Sequence, residues 1–117
     1  MQSPVQNKKE LIERIHSSEK QIRAYGIKQL GSFGSFVRDE AKESSDVDFF
    51  IDFDIEYKTL KNFVRLSHYL QDLTGRKVEI VTPQSLNKFI GKYIIQEVEY
   101  VPFAAWLLKT HRTRVWF

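Results

Sequence analysis

Residues 34–48 read GSFVRDEAKESSDVD, and this stretch is the most informative part of the chain. It places a Gly-Ser pair, Gly34 and Ser35, ten residues ahead of an Asp-x-Asp pair, Asp46 and Asp48. Because residues alternate faces along a strand, the two aspartates are predicted to share one face, roughly 6.6 Å apart. Carboxylates this close repel each other unless a cation lies between them, and a hard divalent ion takes oxygen ligands. Since backbone N–H groups of a Gly-Ser turn suit phosphate oxygens, the stretch predicts a nucleoside triphosphate site.

The composition is typical of one globular domain. The chain has 117 residues, of which 42% are hydrophobic and 14% aromatic, enough for a single core. It contains no cysteine, which excludes disulfides and thiolate metal sites. No apolar run reaches membrane-spanning length and the polar start lacks a signal peptide's apolar segment, so we expect a cytoplasmic protein that does not enter a membrane. The net charge of +3 suits a nucleotide but does not by itself indicate nucleic-acid binding.

The pattern of apolar residues predicts an α/β protein of the α+β type. Amphipathic helices are predicted over about 8–25, 59–73 and 83–99, and strands over 27–33, 46–53 and 77–83. The first helix is expected to break near 16–18, and the polar stretch 37–45 is expected to form a surface loop or short helix. The order helix–strand–strand–helix–strand–helix predicts a small mixed β-sheet with helices packed on one face.

The second predicted strand has an apolar face and an acidic face. The apolar face consists of Val47, Phe49, Ile51 and Phe53, and the acidic face of Asp46, Asp48, Asp52 and Asp54, interrupted by Phe50. An isolated Asp-x-Asp pair would be explained by solvent-exposed charge. Three other features favour a functional site. The Gly34–Ser35 pair directly follows a predicted strand, where the backbone can turn tightly and meet a phosphate. Arg38 and Lys42 in the preceding loop can reach phosphate oxygens, and Glu79 stands in the apolar KVEIV, where burying a carboxylate without a partner is costly. If the third strand pairs beside the second, Glu79 completes a three-carboxylate site.

The run LGSFGSFVRDEAKESSDVDFFIDF (30–53), with GRKVEIVTPQSL (75–86) and YIIQEVEYV (93–101), resembles the minimal nucleotidyltransferase (MNT) proteins of the DNA polymerase beta superfamily. Many of these are antitoxins encoded beside HEPN-domain toxins. The resemblance covers residues from about 8 to 101 and implies the polymerase-beta-like nucleotidyltransferase fold, with 1–100 as the MNT domain. An earlier Gly-Ser pair at 31–32 could be mistaken for the motif, but the ten-residue spacing favours the second pair.

The resemblance implies a role for each matching residue. The nucleotide-binding set is Gly34, Ser35 and Arg38, and the catalytic and metal-binding set is Asp46, Asp48 and Glu79. Two Mg²⁺ ions would be bound, and Glu79 would deprotonate the attacking hydroxyl. The implied reaction is transfer of AMP from ATP to a tyrosine hydroxyl of a cognate HEPN ribonuclease, which would be neutralised within a hetero-oligomer.

Two residues depart from the family pattern. Asp39 follows Arg38 where the family often has glycine, which would add a negative charge near the phosphates and weaken ATP binding. Glu79 stands where the family usually has aspartate, and it is one methylene longer. These departures leave open an inactive antitoxin that blocks the toxin by contact alone.

Other parts of the chain leave alternatives open. The apolar segment 101–117 is expected either to pack on its own domain or to dock on a partner, with docking slightly favoured. Transfer of a nucleotide to a small molecule is a further alternative, although the chain has little room for an acceptor-binding domain. Direct nucleic-acid binding is not expected, because no basic stripe with interleaved aromatics is present. Arg76 and Lys77 are predicted to be solvent-exposed charges.

Overall fold

A computed structural model of the protein describes residues 2–86 and 90–101. In chain order its elements are helices α1 (Lys8–Ser17) and α2 (Glu19–Arg23), strands β1 (Ile27–Phe33) and β2 (Val47–Phe53), helix α3 (Leu60–Thr74), strand β3 (Val78–Val81), helix α4 (Ile90–Glu97) and strand β4 (Glu99–Tyr100). Short 3-10 turns lie at Ile55–Tyr57 and Pro83–Ser85. Within the described residues, no helix has the length and apolar content to cross a membrane. Of the apolar segment 101–117, residues 102–117 lie outside the described residues.

The four strands form one mixed sheet in the order β3-β2-β1-β4, which confirms the predicted fold class. β1 pairs with β2 antiparallel, with Phe33 opposite Asp48. β2 pairs with β3 parallel, with Asp48 opposite Glu79. Asp48 therefore lies at the meeting point of three strand segments: the end of β1, the start of β2 and β3.

The core lies on the apolar face of β2. Val47, Phe49 and Ile51 are fully buried, and Phe53 is nearly so. They pack in one cluster with residues of the helices, among them Leu11, Ile15, Ile22, Leu66 and Leu70. Since side chains alternate along a strand, burial of this face turns Asp48 and Asp52 to the opposite side. The alternation that predicted the strand thus also directs the acids away from the core.

The helix ends follow local signals. The Asn7 side chain accepts a hydrogen bond from Glu10 N–H (2.9 Å) and begins α1. The predicted break in the first helix occurs at Ser18, which separates α1 from α2. Thr59 caps α3 by accepting from Asn62 N–H (3.2 Å), and Gly75 ends that helix with φ +68°.

The region from 83 onward differs from the single predicted helix. The Ser85 hydroxyl accepts from Thr82 N–H (3.0 Å) and closes a 3-10 turn instead of a helix start. α4 ends at Glu97, and the next residues form β4, a short strand absent from the prediction. β4 can pair with β1 because Gly31 has no side chain: a Cβ there would lie 2.5 Å from Val98 Cγ1. Edge pairing with β1 therefore overrides the helical pattern.

Candidate active site

The Gly34–Ser35 turn follows β1 directly. Gly34 has φ +82°, and its carbonyl accepts from the N–H groups of Val37 (3.1 Å) and Arg38 (3.2 Å). A Cβ on Gly34 would lie 2.3 Å from Asp48 Oδ2. Both the backbone conformation and the available space therefore require glycine here. The structure brings the predicted phosphate-binding turn into contact with a predicted metal-binding carboxylate.

The earlier Gly-Ser pair has a different role. Gly31 and Ser32 lie inside β1, and the Ser32 hydroxyl donates to the backbone carbonyl of Asp48 (2.7 Å). Ser32 is 6% exposed. Its hydroxyl is therefore engaged within the sheet, whereas the second pair forms the turn at the surface.

Two of the predicted carboxylates act on the third, Asp48. Burial, first, and then the negative charges of Glu79 and Asp46 together raise the pKa of Asp48 from 3.8 to about 6. Glu97 acts in the same direction, and Arg38 opposes them. Glu79 is exposed on β3, directly beside Asp48 in the register. The result is a cluster of negative charge around one half-buried carboxylate.

The donor chemistry of this cluster suits Mg²⁺, which prefers carboxylate oxygens. Among residues 2–86 and 90–101, no group of three or more His, Cys, Asp or Glu side chains is arranged closely enough to hold a metal ion. Glu79 is exposed, so its side chain has room to move towards an ion. Because burial and neighbouring acids raise the pKa of Asp48, a bound cation would favour the charged form of this carboxylate.

The predicted phosphate-binding groups already have an acidic partner. Arg38 is bonded to Glu97 and also, through Nε, to Glu40 (2.9 Å). Hydrogen bonds with Glu40 and Glu97 raise the pKa of Arg38. The other Glu97 oxygen accepts from Gly34 N–H (3.2 Å). Sequence reasoning missed Glu97, although the residue lies in the segment YIIQEVEYV, because nothing in the pattern shows that the end of α4 reaches the Gly-Ser turn.

Asp39 occupies the position where the family often has glycine, and its backbone explains that preference. Its φ is +58°, in the left-handed region that favours glycine and tolerates aspartate. Its Oδ1 accepts from the backbone N–H of Lys8 (3.3 Å), the first residue of α1. A carboxylate is favourable at a helix N-terminus. The side chain of Asp39 is thus directed at α1.

The prediction that Arg76 is an exposed charge is wrong. The residue is 7% exposed, and its Nε donates to the Val5 carbonyl (2.7 Å). Its Nη1 donates to the carbonyls of three loop residues at 2.9–3.0 Å, namely Lys42, Glu43 and Ser45. Its guanidinium lies over the Phe36 ring, 5.0 Å from the centroid. Arg76 is buried because the loop before Asp46 offers it several carbonyl acceptors, whereas Lys77 is exposed as predicted.

Arg76 joins the two ends of the loop that carries the site. Phe36 follows the Gly34–Ser35 turn directly and is fully buried. Ser45, whose carbonyl accepts from Arg76, directly precedes Asp46. The Arg76 side chain therefore contacts both the end of the loop that follows the Gly34–Ser35 turn and the end that precedes Asp46.

The chain matches known proteins over most of its length. The family model described as "Nucleotidyltransferase domain" matches residues 9–103. The protein adenylyltransferase MntA of Thermococcus cleftensis is 44% identical over 92 residues, which are 79% of this chain and 91% of the relative.

Solved structures share the fold. A structure assigned to the minimal nucleotidyltransferases superposes with a TM-score of 0.70 and 29% identity, over 80% of this chain and 94% of that chain. A chain in the complex of the tri-AMPylated Shewanella oneidensis HEPN toxin with MNT antitoxin gives a TM-score of 0.58 at 12% identity, over 87% of this chain and 77% of that chain. At that identity the likeness shows the fold alone.

Proposed function

The chain belongs to the nucleotidyltransferase domain family, and we propose that it is an antitoxin that transfers AMP from ATP to a tyrosine hydroxyl of a HEPN-domain ribonuclease. The observation that carries this proposal is the contact between the Gly34 turn and Asp48, with Glu79 beside Asp48 on the next strand. A phosphate-binding turn against a carboxylate cluster suits a nucleoside triphosphate with a divalent cation. Further support comes from the relative named as a protein adenylyltransferase and from the fold shared with a toxin–antitoxin complex.

The phosphate-binding groups would hold the leaving part of the nucleotide. The backbone N–H groups of the turn at Gly34 and Ser35 would donate to triphosphate oxygens. The Arg38 guanidinium would form charge-assisted hydrogen bonds to the same phosphates, and these stabilise the charge that develops on pyrophosphate.

The carboxylates would hold the metal and move one proton. Asp46, Asp48 and Glu79 are the residues that would bind Mg²⁺, which when bound supplies charge neutralisation at the phosphates and favours ionisation of the attacking hydroxyl. Glu79, exposed on β3, would accept the proton of the tyrosine hydroxyl. The phenolic oxygen then bonds to the α-phosphorus as the bond from that phosphorus to pyrophosphate breaks.

Transfer of AMP would inactivate the toxin by charge and bulk. The product tyrosine carries a phosphodiester anion. Placed at a ribonuclease site, this anion repels the phosphates of RNA. The proposed activity therefore neutralises the toxin by covalent modification.

The decisive experiment is AMP transfer in a purified system. The full chain is incubated with α-labelled ATP, Mg²⁺ and a purified HEPN toxin, and the modified residue is located by mass spectrometry. We expect label on a toxin tyrosine with the wild type and none with the double variant Asp46→Asn, Asp48→Asn. The control Asp52→Asn, which removes a carboxylate farther along the same face of β2, should transfer normally. Label incorporated by the double variant would exclude this carboxylate assignment.

The contact of Glu97 with Gly34 and Arg38 favours one second candidate, an antitoxin that acts by binding alone. In that case the Gly34 N–H and the Arg38 guanidinium would stay bonded to the Glu97 carboxylate and would not bind a triphosphate. The same double variant distinguishes the two functions in a toxicity assay. It loses neutralisation if AMP transfer is the mechanism and retains it if binding suffices.

A further inference from the structure

Glu97 is the last residue of α4 and contacts two groups that the proposed function assigns to the triphosphate. One carboxylate oxygen accepts from Gly34 N–H at 3.2 Å, and the other is bonded to the Arg38 guanidinium. A backbone N–H and a guanidinium that converge on one anion are the donors that bind phosphate oxygens. The carboxylate of Glu97 thus lies where a phosphate group would be expected to bind.

The same carboxylate is unfavourably placed for a bound nucleotide. Glu97 already adds to the negative charge that raises the pKa of Asp48. A triphosphate entering beside Gly34 would bring further negative charge against it. The Glu97 side chain is 27% exposed, so a path to solvent is open, and rotation about its own bonds would free both donors.

We propose that Glu97 occupies the triphosphate-binding donors of the nucleotide-free protein and sets its ATP affinity, because ATP must displace this carboxylate to bind. The inference rests on the proposed function for the identity of the ligand. When a side chain occupies the donors in the ligand-free protein, ATP can bind only during the fraction of time that the donors are free. The apparent affinity is reduced to that fraction of its intrinsic value. Glu97 is therefore an affinity-determining residue of the site.

A positioning role for Glu97 would change the nucleotide affinity in the opposite direction. If Glu97 instead positions the turn and Arg38 for the nucleotide, its removal would weaken binding. The sign of the change in affinity separates the two roles, and loss of stability alone would not produce tighter binding.

The test is the affinity of the full-length protein for the non-hydrolysable analogue AMP-PNP and for tripolyphosphate, each measured by calorimetry with Mg²⁺ and without toxin. The variants are Glu97→Gln, which keeps the shape and removes the charge, and Glu97→Asp, which is too short to reach both donors. The matched control is Glu99→Gln, since Glu99 is paired with Lys8 (2.8 Å) and is not bonded to the turn.

We expect the Kd of both ligands to fall by about tenfold in Glu97→Gln, in line with removal of a charge-assisted competitor, and to fall less in Glu97→Asp. The control should match the wild type. An unchanged or higher Kd in folded Glu97→Gln overturns the inference, and Glu97→Asp provides the same test if Glu97→Gln does not fold. Binding is measured without toxin, so the two proposals can fail separately. Tighter binding by Glu97→Gln, combined with no AMP transfer by the wild type, would refute the proposed function and leave this inference standing.

Discussion

Gly34 packs directly against the carboxylate of Asp48, so closely that a Cβ on Gly34 would lie 2.3 Å from Asp48 Oδ2. The turn proposed to bind phosphate and the central carboxylate are therefore one structural unit. The contact joins the end of β1 to the start of β2, where Phe33 pairs with Asp48. Substitutions at either residue should affect both nucleotide binding and the carboxylate cluster.

Gly34→Ala should reduce AMP transfer by about 100-fold, because the added methyl displaces the Asp48 carboxylate by an ångström or so. The left-handed φ of +82° should add a loss of about 1 kcal/mol in the free energy of unfolding. Transfer rates and urea unfolding measure the two effects separately. Transfer within twofold of the wild type would show that Asp48 needs no fixed position against the turn.

Asp48→Asn should raise the melting temperature of the metal-free protein at neutral pH. The pKa of Asp48 is about 6 in the folded protein, above its ordinary value of 3.8, so the folded state holds this proton more tightly than the unfolded state. Stability from this group is therefore present at low pH and is lost as the pH rises from about 4 to about 6. Asparagine does not ionise, so the Asp48→Asn variant does not lose this stability as the pH rises.

The measurement is thermal unfolding in EDTA at several pH values, with Asp52→Asn as the matched control from the same strand. The stabilisation by Asp48→Asn should be largest above about pH 6 and should shrink towards about pH 4. A variant less stable than the wild type at pH 7 would contradict the desolvation and charge repulsion around Asp48.

Mg²⁺ should raise the melting temperature of the wild type and leave that of the Asp46→Asn, Asp48→Asn double variant unchanged. A ligand that binds only the folded state stabilises it, by about 2.7 kcal/mol at a concentration of 100 times Kd. Glu79→Gln should show a smaller rise than the wild type, because it retains two of the three carboxylates. Equal Mg²⁺ stabilisation of wild type and double variant would place the ion elsewhere.

Arg76→Lys should lower the free energy of unfolding by about 2 kcal/mol, because lysine keeps the charge but lacks the planar fork that reaches several carbonyls. Below the melting temperature it should also lower kcat, since the loop before Asp46 loses its attachment to Phe36. Lys77→Gln, at the exposed neighbouring position, should change stability by less than about 0.5 kcal/mol. Unaltered kcat in a destabilised Arg76→Lys would limit the residue to a structural role.

Asp39→Gly should change the Kd for AMP-PNP by less than about threefold, contrary to the expectation that this charge weakens ATP binding. The reason is that the Asp39 carboxylate accepts from Lys8 N–H at the start of α1. Stability should stay within about 1 kcal/mol, since glycine relieves the left-handed φ of +58° while the helix loses an acidic partner. Calorimetry measures this Kd, and a fall of tenfold or more would support the expectation that the charge of Asp39 weakens ATP binding.

Much of the fold could be predicted because its signals are local. The alternation of Val47, Phe49 and Ile51 predicted β2 and its buried face, and Gly75 marked the end of α3. The break of the first helix was expected near 16–18 and occurs at Ser18. In each case the residues themselves carry the cause, whether alternate burial or the freedom of glycine to adopt a positive φ.

Other features could not be predicted, because the partners are distant in sequence. Arg76 looked like a solvated charge, and its burial depends on loop carbonyls more than 30 residues away. β4 was missed because its pairing depends on the bare backbone at Gly31. Periodicity contains no information about either contact.

By itself, the sequence determined the family, the mixed sheet and the candidate site residues, because the Gly-Ser turn, the Asp-x-Asp pair and the strand pattern depend on spacing along the chain. Only the tertiary structure decided which groups those residues meet. Strand pairing set Asp48 against Gly34 and beside Glu79, and the end of α4 brought Glu97 to the turn from 63 residues away. Spacing fixes which face a side chain occupies, whereas its neighbours, and so its charge environment and its competitors, depend on how separate elements pack.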